Sequence, residues 1–275
     1  MVIFNAVETE RAYGKVNLYL DVISKRDDGY HNIVGLFQTI DLCDVIEFRT
    51  TDRPGQIKIQ SNVSIEGMNL IEKAFRICSE YYRVDFGIEV KLSKRIPIGS
   101  GLGGGSSDAA ATLRFLSKII NIPQDTLFQI AVKVGSDVPF LLRGGTAIVE
   151  GRGESVTFLE PIRDYTVNLF CPKISISTKM MYQRLGKENY GRGPKPVERL
   201  YEAYKNMDAE MIRSFSYNVF QDIVCGEYPE IKENLDIAWR ENPITALMTG
   251  TGSCIFSVHG IGGKHKFITT FFDNP

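Results

Sequence analysis

Pro97-Ile98-Gly99-Ser100-Gly101-Leu102-Gly103-Gly104-Gly105-Ser106-Ser107-Asp108 places five glycines within seven residues. Upstream, residues 87–93 alternate apolar Ile88, Val90 and Leu92 with polar Glu89 and Lys91, the period of a strand. Downstream, residues 109–120 carry Ala110, Leu113, Leu116 and Ile120 at helical spacing, with Ser106, Ser107 and Asp108 available to cap the first turn. Ordering so many glycines costs entropy, so a simple chain reversal explains them poorly. A backbone free of side chains can instead wrap its N–H groups around a polyanion, and a helix N-terminus adds unpaired donors and partial positive charge. The stretch predicts strand, phosphate cradle and helix within an α/β or α+β domain.

Two other phosphate loops do not fit. The Walker pattern ends in Gly-Lys-Ser/Thr, whereas Gly105 is followed by Ser106. Gly99, Gly101 and Gly104 meet the dinucleotide spacing, with Asp125 about twenty residues further on. Asp125, however, follows Pro123 at an apparent helix start, where that fingerprint needs the end of a second strand.

A length of 275 residues allows one large domain or two small ones. A net charge of -1 provides no broad basic field, which argues against a nucleic-acid partner. Cys43, Cys78, Cys171, Cys225 and Cys254 are scattered, odd in number and without paired spacing, and are expected to be free thiols in a reducing compartment. Val2-Ile3-Phe4 is too short for a signal segment and no run approaches membrane-spanning length, so a cytoplasmic protein with no membrane partner is expected. His31, His259 and His265 have no metal-ligand spacing, and no metal ligands are assigned.

Residues 8–23 read as a strand with Val16, Leu18, Leu20 and Val22 on one face and Lys15, Asn17 and Tyr19 turned outward on the other. The polar turn 24–31 ends in Tyr30 and His31, a pair able to stack on and hydrogen-bond a planar base. Strands are predicted over 33–42, 44–50 and 56–60, with Arg53-Pro54-Gly55 as a turn. Asn69 and Glu72 form a capping-box-like helix start, continued by Ala74, Phe75, Cys78 and Tyr82.

A second helix is predicted over 124–134, broken by Gly135-Ser136-Asp137-Val138-Pro139-Phe140. Asp137 lies there between apolar segments; turn aspartates commonly cap backbone, yet a carboxylate in such surroundings suits a hydroxyl-activating base. Strands resume over 146–150 and 156–159, with a domain boundary placed near 161–164. The second half reads as strand 166–171, helices 177–185, 196–205, 208–216 and 230–240, and a Gly/Pro/basic loop over 186–195. It closes with strands 244–248 and 254–258 around Thr249-Gly250-Thr251-Gly252-Ser253, a turn small enough for a backbone or a phosphate to approach.

Lys15-Val16-Asn17-Leu18, the Gly/Ser-rich loop and Gly250-Thr251-Gly252, in that order, resemble the GHMP kinases, the superfamily of galactokinase, homoserine kinase and mevalonate kinase. The resemblance spans nearly the whole chain. Asp28-Gly29-Tyr30-His31, the long form of the glycine loop and Gly135-Ser136-Asp137-Val138-Pro139 are similar to one branch, which phosphorylates the tertiary 2-hydroxyl of a methylated polyol carried on cytidine diphosphate in non-mevalonate isoprenoid synthesis. Two features depart from the family pattern: Tyr13-Gly14 replaces the usual Pro-Ala, and Gly260-Ile261-Gly262-Gly263 leads almost directly to a last strand over 266–272 where the family generally inserts a helix.

The resemblance implies a two-domain α+β GHMP kinase fold, residues 1–160 and 161–275, with ATP as co-substrate and a small nucleotide-like substrate in the cleft between them. Lys15 and Asp137 are then the catalytic pair. Pro97, Ile98, Gly99, Ser100, Gly101, Leu102, Gly103, Gly104, Gly105, Ser106 and Ser107 would bind ATP phosphates, with Asn69 and Lys94 near adenosine. Asn17, Tyr30, His31, Phe37, Tyr182, Gly250, Thr251 and Gly252 would bind the second substrate. Mg2+ is expected because phosphoryl transfer from ATP uses a metal to offset developing charge; Ser106, Ser107 or Asp108 could reach it, and a capping role stands equally open for each. The expected assembly is a monomer or homodimer. Two alternatives stand beside this: another GHMP small-molecule kinase, acting on homoserine or mevalonate, and a nucleotide-binding module without catalysis.

Overall fold

A computed structural model of the chain describes residues 7–65, 67–260 and 262–268. Val2-Ile3-Phe4 and the part of the terminal strand beyond 268 lie outside the described residues. The first half runs β1 (Val7–Lys25), β2 (His31–Thr51), β3 (Ile57–Ser61), α1 (Leu70–Tyr82), β4 (Gly87–Ser93), α2 (Gly104–Ile120), α3 (Gln124–Val134), α4 (Val138–Arg143), β5 (Thr146–Gly151) and β6 (Ser155–Leu159). The second runs β7 (Thr166–Phe170), α5 (Thr178–Arg184), a 3-10 turn Lys187–Asn189, α6 (Glu198–Lys205), α7 (Ala209–Phe215), β8 (Tyr217–Asn218), α8 (Gln221–Glu227), α9 (Pro229–Arg240), β9 (Thr245–Met248), β10 (Ile255–His259) and β11 (His265–Lys266).

Two sheets result, in an α+β arrangement. β1 and β2 form a long antiparallel pair whose tight turn needs Gly29 at φ 83. The far edge of β2 is shared, β5 pairing with residues 33–38 and β4 with residues 45–51. β3 and β6 extend those edges, and short β8 adds in parallel to β1. The smaller sheet has the order β11-β7-β10-β9, with α9 packed over it. α2 lies against β1, β2, α1 and α4, and its Phe115 ring stacks on Phe48 at 4.4 Å. No helix among the described residues is long and apolar enough to cross a membrane.

Several expectations are corrected. Residues 31–51 form one strand, not two, because register shifts between Tyr13 and Lys15 and between Asn17 and Tyr19 of β1 let the paired strands bend without ending. Lys15, Asn17 and Tyr19 are buried, not turned to solvent, since β1 is covered on both faces and strand alternation then no longer separates core from water. α2 begins at Gly104 with Gly103 as its cap, so Ser106, Ser107 and Asp108 are inside the helix and do not cap it. Val138-Pro139-Phe140 forms a short helix, with proline in its first turn where no N–H is missed. α8 and β8 were not foreseen.

The cysteine expectation also changes. Cys171 and Cys254 form a disulfide across 83 residues of sequence. The β7/β10 register pairs Phe170 with Ile255, which brings the next residues of each strand opposite one another with Cα atoms 4.3 Å apart. Cys43, Cys78 and Cys225 are free thiols.

Candidate active site

Lys15 and Asn17, between two register shifts of β1, lie in the interior beside the glycine loop. The Lys15 backbone N–H donates to the Leu102 carbonyl at 2.9 Å. Its ammonium donates to Asn17 Oδ1 and to the Gly101 carbonyl, both at 2.7 Å, and stands 3.7 Å from Asp137 Oδ2 and 5.3 Å from the Phe37 ring centroid. Burial lowers the Lys15 pKa, and the Asp137 carboxylate pulls the other way. Asp137 is the residue before α4, and its side chain makes no capping bond, so the carboxylate reaches toward the ammonium.

Thr249 ties the two ends of the chain together here. Its hydroxyl donates toward Asn17 Oδ1 at 3.1 Å and the Gly101 carbonyl at 3.2 Å, and accepts from the Asn17 N–H at 3.2 Å. Asn218 Nδ2 holds the same turn through the Met248 and Gly250 carbonyls. Gly101 has φ +78, and a Cβ there would lie 2.0 Å from the Thr249 carbonyl oxygen. Only glycine permits both that backbone and that approach.

Around Lys15 and Asp137 lies a cleft of ≈ 400 Å³. Lys15, Asn17, Phe37, Asn69, Lys94, Asp137, Tyr182, Gly250 and Thr251 border it, as do Pro97, Ile98, Gly99, Ser100, Gly101, Gly103, Gly104, Gly105 and Ser106. With glycine as its cap, α2 presents its first N–H groups to this space without a side-chain acceptor. Asn69 also caps α1, accepting from the Ile71 N–H at 2.9 Å.

Leu102, Ser107, Gly252, Tyr30 and His31 are not in the cleft lining. Leu102 is fully buried, and the Ser107 hydroxyl donates to the Tyr13 carbonyl. His31 packs against cleft residue Tyr182 at 5.0 Å between ring centroids, and burial, with Lys25 nearby, lowers its pKa. Tyr30 is 55 % exposed, with the Arg152 guanidinium 4.8 Å over its ring. Lys94 is bound to the carboxylates of Asp44 and Asp108, which hold its pKa above the ordinary value despite burial. Asp108 Oδ1 has no partner among the described residues, and burial pushes this carboxyl up to about 7 against the pull of Lys94.

Six bordering residues were not foreseen: Ile65, Met68, Leu70, Thr178 and, from the paired strands, Leu20 and Ile33. The apolar cluster flanking Asn69 was the available signal for the first three. Thr178, whose hydroxyl meets that of Thr251 at 3.1 Å, had none beyond its place at a helix start. For Mg2+ the cleft offers the Ser106 hydroxyl and the unpartnered Oδ1 of Asp108, while the Ser107 hydroxyl and the other Asp108 oxygen are already engaged. A sparse oxygen set suits a cation that keeps waters and takes substrate phosphates as its other ligands.

Residues 69–145 match the GHMP kinases N terminal domain. The chain is 58% identical over 274 residues, 100% of both chains, to the 4-diphosphocytidyl-2-C-methyl-D-erythritol kinase of Pseudothermotoga lettingae. It is 47% identical over 258 residues, 94% of each chain, to the kinase of the same name from Thermotoga petrophila. A crystal structure of 4-(cytidine 5'-diphospho)-2C-methyl-D-erythritol kinase superposes with a TM-score of 0.77 at 32% identity, covering 91% of this chain and 89% of the other.

Proposed function

The chain belongs to the GHMP kinases, and from that premise we propose that it transfers the γ-phosphoryl group of ATP to the 2-hydroxyl of 4-(cytidine 5'-diphospho)-2-C-methyl-D-erythritol, in isoprenoid precursor biosynthesis. The observation that carries the chemistry is the buried Lys15 ammonium, 3.7 Å from Asp137 and hydrogen-bonded to the glycine loop itself. A kinase must bring a triphosphate and an alcohol together in one dry place.

In this assignment the loop from Gly99 to Ser106 and the open first turn of α2 hold the ATP phosphates through backbone N–H groups. Asp137 orients the alcohol and accepts its proton, and Lys15 keeps that carboxylate ionised while offsetting charge at the phosphoryl group. Asn17 fixes the ammonium and helps place the substrate. Mg2+ bound with ATP would neutralise charge on the phosphate oxygens, with the Ser106 hydroxyl and Asp108 Oδ1 as the cleft oxygens that would hold it, leaving Asp137 to the alcohol. Phe37, Tyr182 and His31 grip the cytosine, with Tyr30 at the outer rim, and Asn69 and Lys94 flank the adenosine. We place the division between two domains at 160/161, in the connection from β6 to β7.

Measured ADP release on cytidine-diphosphate methylerythritol, homoserine and mevalonate tests the assignment. Turnover is expected on the first alone; turnover only on homoserine or mevalonate overturns it. ATP binding with no ADP release on any of the three would favour a nucleotide-binding module.

A further inference from the structure

Beside the base-binding end of the cleft, the loop 186–195 after α5 is seated on β1 by two backbone donors. The Gly191 N–H donates to the Val22 carbonyl at 2.8 Å, and the Gly193 N–H donates to Asp21 Oδ2 at 3.0 Å. Asp21 is 0% exposed, and its other oxygen accepts the Val22 N–H at 2.8 Å. Burial raises its pKa, against those two N–H groups and the nearby Lys195. The fit is close: a Cβ on Gly193 would fall 2.2 Å from the Tyr19 hydroxyl and 2.6 Å from the Tyr217 ring.

The seated loop carries Tyr190, whose ring meets the His31 imidazole edge-on, at 6.0 Å and 70°. Tyr182 lies against the same imidazole at 5.0 Å and 35°. The His31 ring is thus bracketed by two tyrosines. A histidine ring rotates over a broad range about its last torsion, and a base edge can be read only when the ring nitrogens are held in one plane.

Resting on the function proposed above, we infer that Tyr190 is a positioning residue for His31, and that the loop 186–195, pinned to β1 through Asp21, sets selectivity for a cytosine-bearing substrate. Neutral imidazole has a donor at one ring nitrogen and an acceptor at the other, so the angle at which the ring is held decides which of them meets the base edge; burial lowers its pKa, which favours this neutral form. Tyr190 acts by restricting the ring, not by touching the phosphates or the reacting hydroxyl.

Calorimetric titration with CDP, beside steady-state kinetics, tests this on the full chain. Tyr190→Ala should weaken CDP binding about fivefold and raise KM for the cytidine substrate equally, with kcat and the KM for ATP within about twofold of the parent. Tyr190→Phe, which keeps the ring edge, should restore both values. Gly193→Ala, which crowds the loop off Tyr19, should reproduce Tyr190→Ala. In a His31→Ala background, Tyr190→Ala should add nothing further. Unchanged CDP affinity in Tyr190→Ala, an additive loss in the double variant, or an equal fall in ATP binding would each overturn the inference. Failure of the parent protein to bind CDP would remove the base-recognition assignment and this inference together; binding by the parent with no effect of Tyr190→Ala would remove the inference alone.

Discussion

Lys15 is subject to two opposed influences: burial disfavours its charge, and Asp137 favours it. Its pKa is therefore below the ordinary 10.5, and the charged form, on which phosphoryl transfer depends in the proposed role, is lost earlier on the alkaline side than for a free lysine. The alkaline limb of kcat/KM should fall below pH 10.5, and Lys15→Arg, which cannot lose its proton, should abolish that limb while lowering the rate. A profile flat to pH 10.5 in the parent would contradict the role. For Asp137→Asn, kcat should drop about 10²- to 10⁴-fold with little change in the KM for ATP, because the lost interaction develops with the reacting hydroxyl. An equal loss of nucleotide affinity would count against it. The sequence raised Asp137 from its place in a turn between apolar segments, and Lys15 only through the family resemblance. Strand periodicity alone placed Lys15 in solvent, since a period of two cannot register that β1 is covered on both sides.

Local signals were most legible where one element makes one turn. Asn69 stands as the cap of α1 as read, accepting the Ile71 N–H; the helices expected from 177 and 208 start one residue later, with Ser177 and Asp208 as their caps, and the glycine loop lies between β4 and α2 as its pattern implied. What escaped was short or jointly determined. α4 and α8 are too brief to show a helical period, and the continuity of β2 depends on bulges in its partner. Gly101→Ala tests the cradle as an element: the positive φ and the clash with the Thr249 carbonyl should together cost more than about 2 kcal/mol in denaturant unfolding and sharply reduce ATP binding. A fully stable, ATP-binding variant would show that the loop does not need that geometry. Asn69 separates two roles. Asn69→Ala should lose about 1 kcal/mol of stability with the cap, whereas Asn69→Asp keeps the cap and should raise only the KM for ATP. An unchanged KM in Asn69→Asp would leave Asn69 as a cap alone.

At the scale of the whole molecule, the cleft exists because distant segments converge on the glycine loop: Asn17 of β1 meets Thr249, 232 residues away, and the Cys254 N–H donates to the Ser100 carbonyl. Such contacts follow from sheet register, which scattered residues do not announce, and the disulfide is the clearest instance. Five cysteines without paired spacing gave no reason to join Cys171 to Cys254, yet adjacent antiparallel strands set them face to face. Closing a loop of 83 residues restricts the unfolded chain, by about 4.5 kcal/mol in the pure chain-entropy account and about 2 to 4 in practice. Adding a thiol reductant should therefore lower the unfolding free energy of the oxidised protein by that order, read as a lower denaturant midpoint. Cys254→Ala should unfold near the reduced parent and lose its response to reductant, because Cys43, Cys78 and Cys225 are unpaired. A parent midpoint indifferent to reductant would mean that packing of β7 on β10, and not the covalent link, holds this edge of the cleft in place.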